Sequence, residues 1–316
     1  MAAMSDLQKS LPSVLFMRSS RKLILNVRER FVEFGFLNDS NSYAVDNIEV
    51  KPMHDIDKKI SWLKNECCIS RGWIYPPKRK AEKDKDERNS HSFERFHDYF
   101  NIQPTHTLTI KPYDPDKIKF LILGLGFFYG VYLLPAGHYS INRIPYKIGK
   151  LTGVFPSGKD IPKALVALSN FYDLNPKKRN NMFAVLHWML VGQTLNHSWE
   201  RFEAQYKVLD GLFKISGATA KFHSDRPVAL GKKYSIQLPE WAKINGKHSK
   251  LSTLRNQLFH EALYVDKPIG YAHPAEDYDI EFVTFNSKII AATLGLASNF
   301  QKNGSSVRYK CAWEIE

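Results

Sequence analysis

The sequence predicts an α+β fold: a β-containing N-terminal domain over residues 1–160, followed by an all-α helical bundle over residues 161–316. Three observations predict it. Short apolar, partly alternating segments before residue 160 read as strands. From Ile161 onward apolar residues recur at helical spacing. Between the two textures, residues 135–158 are dense in Gly, Pro and basic side chains. At 316 residues the chain exceeds the usual size of one domain, and each part is long enough for its own core.

Composition narrows the class. With 43% hydrophobic and 24% charged residues, the chain reads as a soluble globular protein. Its net charge of +13 favours polyanionic partners, nucleic acid before an anionic membrane surface, with a basic but unpartnered protein as the plain alternative. Cys67, Cys68 and Cys311 have neither zinc-site nor disulfide-framework spacing, so a reducing, cytoplasmic compartment is expected. The chain opens without a basic-then-apolar leader. Its longest apolar run, residues 120–134, falls short of the ~20 residues that span a bilayer and is read as buried core.

In chain order, residues 22–27 and 31–36 read as strands, with residues 38–41 as a turn. Residues 76–92 carry almost no apolar side chain and read as a solvated loop, whose lysines are a lesser candidate for RNA contact. Residues 107–111 alternate as a half-buried strand does, and residues 118–123 read as a second, fully buried strand. Gly124 and Gly126 follow it. Their spacing misses the dinucleotide fingerprint by one residue and lacks its acidic partner, so they read as glycines that permit close packing. In residues 135–158, Arg143, Lys147 and Lys150 alternate with Tyr139 and Tyr146. Cations interleaved with aromatics suit single-stranded RNA, and these three are the candidate RNA-binding residues; a surface loop without a ligand carries the same pattern.

Pro162 suits the first turn of a helix carrying Ala164, Leu165, Leu168 and Phe171. Asn175-Pro176 ends it and opens a second helix through Phe183, Leu186, His187 and Leu190. Ser198 is the expected cap of a third, along which Trp199, Phe202, Tyr206, Leu209 and Phe213 trace one face, and the last two form an antiparallel hairpin. Between residues 217 and 246 the periodicity lapses at Pro227 and Pro239, and His223, Asp225, Arg226 and Lys232 read as loop surface. A further helix starts near Ser249, and the last is expected over residues 280–300.

The residues with chemistry lie on the helix that starts near Ser249. Arg255, Asn256 and His260 set a permanent cation, an amide and a titratable imidazole within two turns. Asn256 and His260, four apart, share a face; Arg255 lies about 140° from His260 on a regular helix, an offset a long guanidinium arm can cover. His187, His197 and His223 show no ligand spacing that defines a metal site, and no metal or cofactor is expected.

The run Arg255-Asn256, three residues, then His260 resembles the Arg-x4-6-His signature of HEPN domains, whose second position is typically polar. The segment 197–210 is similar to the long preceding helix of that bundle, and the resemblance covers roughly the last 140 residues. It implies a helical bundle, a homodimer with a composite site at its interface, and a metal-independent endoribonuclease leaving 2′,3′-cyclic phosphate and 5′-hydroxyl ends. By the same resemblance the RNA, with transfer RNA among the candidates, would be cut in a bacterial toxin or antiviral defence system, under an antitoxin or regulatory protein. The tyrosine that a partner nucleotidyltransferase modifies in some HEPN toxins, two residues after the histidine, is here Ala262; the nearest tyrosine is Tyr264. In such a site His260 would be base or acid, Arg255 would clamp the phosphate, and Asn256 would orient His260 or bond a phosphate oxygen. Two readings stay open beside it. One is a non-catalytic HEPN-like module that binds RNA, a nucleotide or a protein; the other is a scaffold in which Arg255 pairs with Glu261 or Asp210.

Overall fold

The computed structural model describes residues 30–65, 68–75, 99–101, 103–136, 139–141, 143–270, 278–302 and 311–316. The expected strand at residues 22–27 and the charged segment at 76–92 lie outside the described residues. Strands dominate the first half and helices the second, so the mixed α+β class stands.

Strands β1 (Phe31–Gly35), β2 (Tyr43–Val45) and β3 (Ile48–Pro52) precede α1 (Ile56–Asn65). Then come β4 (Ile69–Ser70), β5 (Trp73–Ile74), β6 (Tyr99–Asn101), β7 (His106–Ile110) and α2 (Pro115–Tyr129). The short strands β8 (Leu134–Pro135), β9 (Tyr139–Ile141), β10 (Ile144–Pro145) and β11 (Val154–Phe155) follow. The main sheet has the order β2-β3-β7-β1-β8 with every pair antiparallel. Along β7, buried His106, Leu108 and Ile110 alternate with half-buried threonines, the period of two that gives a sheet one dry face. Val50 stands opposite Leu108 and Ile48 opposite Ile110, extending that face across β3.

Residues 118–123, expected as a buried strand, form the middle of α2 instead. An apolar run buried on all sides has no periodicity to separate helix from strand; the ends decide. The Asp114 carboxylate accepts from the N–H groups of Asp116 and Lys117 at 3.0 Å each, Pro115 occupies the first turn, and Gly130 closes the helix in the left-handed conformation. The main sheet, α3 and α4 pack around α2 and bury nearly all of it. Its glycines do permit close packing: a Cβ at Gly124 would lie 2.5 Å from Leu168, and one at Gly126 2.7 Å from the Val131 carbonyl.

The second half comprises α3 (Asp160–Leu174), α4 (Arg179–Gly192), α5 (Ser198–Ser216), α6 (Arg226–Tyr234) and α7 (Lys250–Asn256), then the hairpin β12 (Leu263–Tyr264) and β13 (Lys267–Pro268). The chain ends in α8 (Tyr278–Thr293), α9 (Asn299–Lys302) and β14 (Cys311–Ala312), which pairs in parallel with β11. In the hairpin of α4 and α5, Gly192 lies against Ala204 and Val185 against Gly211. One index rises as the other falls, so the helices are antiparallel as expected, and the two glycines set how closely they approach. Asn286 on α8, fully buried, donates to the backbone and side-chain oxygens of Gln205 at 3.0 and 2.9 Å and so pins α8 to α5.

Three expectations for this half are corrected. Residue 197, not Ser198, precedes α5, and the Glu200 carboxylate reaches back to the His197 N–H at 3.1 Å. The segment read as loop between 217 and 246 contains α6, because Pro227 sits in a first turn, where its missing N–H has no partner to lose. The last long helix stops at Thr293, where Gly295 turns the chain at φ 76°. One hydrophobic cluster runs from Phe34 and Leu108 of the sheet through α2 to Phe285 and Ile315, so sheet and helices share a core across residue 160.

His106 sits in that core, 1% exposed, with Nδ1 3.0 Å from the Thr105 hydroxyl and Phe34 alongside. Burial pushes its pKa down from 6.5 to about 4, Asp39 opposing. Between those values the unfolded chain takes up a proton that the folded chain refuses, so stability is full above about pH 6.5 and falls as pH drops toward 4. The loss expected from this group is of the order of 3 kcal/mol. Thermal midpoints across that range should show it, and His106→Phe should flatten the dependence; an equally steep variant would place the sensitivity elsewhere.

Candidate functional site

Helix α7 starts at a reciprocal pair of serines. Ser249 Oγ accepts from the Ser252 N–H at 3.1 Å and Ser252 Oγ from the Ser249 N–H at 2.9 Å, which satisfies two of the donors a helix start leaves open. Leu251 and Leu254 are buried and fix the helix on the core. At Gln257 the regular helix gives way to a π-turn, Gln257–Glu261, closed by Ala262 in the left-handed conformation. In a π-turn the backbone hydrogen bond closes on the fifth residue rather than the fourth, which widens the turn and narrows the roughly 140° offset that a regular helix sets between Arg255 and His260. The long guanidinium arm covers the rest.

The consequence is direct contact. The Arg255 guanidinium lies 2.8 Å from His260 Nε2, and the same Nη1 reaches Asn256 Oδ1 at 3.2 Å. Arginine only donates, so Nε2 accepts and the proton of the neutral imidazole is on Nδ1. The guanidinium also covers the Phe259 ring at 5.2 Å. All three sequence-predicted catalytic residues thus meet, with Arg255 and Asn256 half-buried and His260 exposed. Asn256 holds Arg255 rather than His260. Neither Glu261 nor Asp210 pairs with Arg255: among the described residues it forms no ion pair, and Asp210 is taken by Arg226.

The π-turn is anchored from the far side. The Gln257 side chain donates to the Asp266 carboxylate and accepts from the Asp266 N–H, which ties the turn to the β12–β13 hairpin. Val265 and Asp266, the two loop residues of that hairpin, both have positive φ, as a primed turn needs. A β-branched residue there is strained, and that strain sits beside the motif.

Further groups converge on Arg255 from other elements. The 3-10 turn His223–Asp225 packs against α7. His223 is held below the ordinary imidazole value, by partial burial first, then by the cations of Arg226 and Arg255, with Asp210 opposing. Tyr206 on α5 lies 6.5 Å from the Phe259 ring; burial, with the Asp210 charge added, pushes its hydroxyl up to about 12 against the pull of Arg255 and Arg226. Beside the His260 imidazole, one chain therefore places a second imidazole, a phenol, a second guanidinium and one carboxylate in the electrostatic surroundings of Arg255. His223, read from sequence as loop surface, feels the Arg255 charge, and Arg226, read the same way, pairs with Asp210 beside it. The signal that could have found them is Asp225-Arg226-Pro227, an acidic residue followed by proline in the pattern of a helix start.

The candidate RNA-binding residues gather elsewhere. Arg143 stacks on Trp73 at 4.1 Å and donates to the Thr194 carbonyl at 3.3 Å; Lys150 lies 5.2 Å from the same indole; Lys147 is exposed beside them. Among the described residues no hydrogen bond, ion pair or ring contact joins them to the Arg255–His260 site. The other histidines are dispersed: His187 bonds the Tyr132 hydroxyl at 3.1 Å, and His197 stacks on Trp199 at 4.3 Å. No group of three potential metal ligands occurs among the described residues. No described helix is long and apolar enough to cross a membrane. Comparison of the chain with protein-family models, curated proteins and solved structures finds no match.

Proposed function

We propose that the chain is a metal-independent endoribonuclease of HEPN type, which cleaves RNA by attack of a 2′-hydroxyl on the adjacent phosphorus. The observation that carries this reading is the Arg255 guanidinium, without a carboxylate partner among the described residues and 2.8 Å from His260 Nε2. Without a bound phosphate, Arg255 covers the lone pair of Nε2. An incoming phosphodiester offers the guanidinium two charged acceptors in a geometry that matches its fork, and drawing it toward them uncovers Nε2 to take the 2′-hydroxyl proton. The same cation then stabilises the extra charge on phosphorus, with Asn256 holding its plane. A second group must protonate the leaving 5′-oxygen. In the homodimer implied by the HEPN resemblance this would be a second His260 across a two-fold axis. Within one chain the candidate is His223, whose turn packs against α7.

These suppliers are separable. His223→Ala is expected to lower turnover by about a hundredfold with little change in KM, as loss of one proton-transfer partner does. A loss below threefold would return both proton transfers to the paired His260 residues.

The reading is tested by incubating purified protein with total and transfer RNA in EDTA, recording product ends and oligomeric state. Cleavage leaving cyclic phosphates supports it. Salt-sensitive RNA binding without cleavage, unchanged by His260→Ala, would establish the non-catalytic binding module instead. By the HEPN resemblance, the setting would be a toxin or antiviral defence system with a regulatory partner, acting on RNA in the cytoplasm.

A further inference from the structure

Away from the Arg255–His260 site, a cavity of about 680 Å³ opens between β4, the loop after β10 and the end of β11. Its walls are apolar and aromatic, from Ile69, Ile148, Tyr146 and Phe155, with Asn38 and Lys147 as its polar groups. That volume lies within the range that small organic ligands occupy, and a few polar groups on apolar walls are the usual composition of such sites. Among the described residues the Asn38 amide makes no hydrogen bond and the Lys147 ammonium no ion pair. Just outside, Arg143 and Lys150 are held over the Trp73 indole, again without an ion pair among the described residues. Asp39, next along the chain from Asn38, accepts from the hydroxyls of Tyr129 at 2.6 Å and Tyr43 at 2.9 Å and forms no ion pair with these cations among the described residues. Gly72 lines the same cavity at φ 81°, and a Cβ there would lie 3.2 Å from the Lys147 side chain, so the space beside Lys147 depends on glycine.

Positive charge at the mouth, without an ion-pair partner among the described residues, selects an anion; aromatic walls select a flat ring; an amide can donate to and accept from a ring edge. We propose that this cavity binds one nucleotide unit, with its base against Tyr146 and Phe155, its base edge on Asn38 and its phosphate on Lys147. The unit is either a free nucleotide or one residue of an RNA strand, and the chemistry recognised is the same. The assignment rests on the cavity alone and stands or falls independently of the nuclease reading.

Calorimetric titration of the full chain tests it, with the four nucleoside 5′-monophosphates, adenosine, inorganic phosphate, and a short oligoribonucleotide whose methylated 2′-oxygens prevent cleavage. A nucleotide is expected to bind at least about tenfold more tightly than its nucleoside or phosphate half. Lys147→Ala should weaken it about tenfold, and Asn38→Ala should level the ranking among the four bases. Lys177→Ala, at an exposed lysine on the α3–α4 link, should leave it unchanged. Binding of the monophosphates identifies a free nucleotide as the source; binding of the oligonucleotide alone, with the same sensitivity to both variants, identifies the strand. No binding of either, or equal losses in Lys147→Ala and Lys177→Ala, would overturn the proposal. Circular dichroism of each variant separates lost binding from lost fold.

Discussion

His260→Ala is expected to reduce chelator-resistant RNA cleavage by about a thousandfold, and Arg255→Ala by a comparable factor, with folding intact in both. The first figure is what a positioned acid–base group contributes, the second what a preorganised cation contributes at a phosphoryl transition state. Neither residue is in the core, since His260 is exposed and Arg255 half-buried, so thermal midpoints should stay near that of the wild type. Because Arg255 and His260 touch, the losses should not multiply: the double variant is expected to be little worse than either single one. Arg255→Lys should fail to rescue, because an ammonium cannot hold Asn256 Oδ1 and His260 Nε2 in one plane and still present a second donor edge to phosphate. Asn256→Asp sharpens the test. It would set a carboxylate beside Arg255, which has none as an ion-pair partner among the described residues, and turnover should fall although the imidazole is untouched. Full cleavage in His260→Ala would place the chemistry at another site.

The composition of this site was only partly legible in the sequence. Arg255, Asn256 and His260 could be picked out because a cation, an amide and an imidazole within six residues are close in any local conformation. The π-turn that aligns them was not, since Gln257-Leu258-Phe259 carries no mark against a regular helix; what fixes it is the Gln257–Asp266 pair made with the following hairpin. His223, Arg226 and Tyr206 come into the electrostatic surroundings of Arg255 through tertiary packing, to which spacing along the chain is blind. The fold shows the same division. Alternation marked β7, and helical spacing marked α3, α4 and α5, because each has one dry face and one wet one. Helix α2 has no wet face, so its interior read equally well as strand, and only the Asp114-Pro115 start and the Gly130 stop distinguished the two.

The largest effect on stability is expected from Trp313→Ala, near the end of the chain. Trp313 is fully buried, with ring centroids 5.4 Å from Phe127, 5.2 Å from Phe128 and 5.1 Å from Phe300. Its indole also completes the C-terminus of α2, where four carbonyls have no partner within the helix. Gly126 and Phe127 are served by the N–H groups of Val131 and Gly130, Tyr129 by that of Gly149, and Phe128 by Trp313 Nε1 at 3.0 Å. Removing the ring opens a cavity and leaves a buried carbonyl unsatisfied, a loss of about 3–5 kcal/mol. Calorimetry should show the midpoint fall by roughly 6–15 °C in a chain of this size. Trp313→Phe separates the two contributions, since it keeps most of the ring contact but not the donor, and about 1–2 kcal/mol of the loss should remain. The strand around Trp313 also matters: the Trp313 N–H donates to the Phe155 carbonyl at 3.0 Å and the Ile315 N–H to buried Asp160 at 3.2 Å, so this segment ties β11 to the start of α3. Loosening it should expose the α2 core before the Arg255–His260 site, with which Trp313 shares no hydrogen bond or ring contact among the described residues. Below its midpoint the Trp313→Ala protein is therefore expected to retain the wild-type response to His260→Ala; loss of cleavage while the protein is still folded would show that the core and the site are coupled.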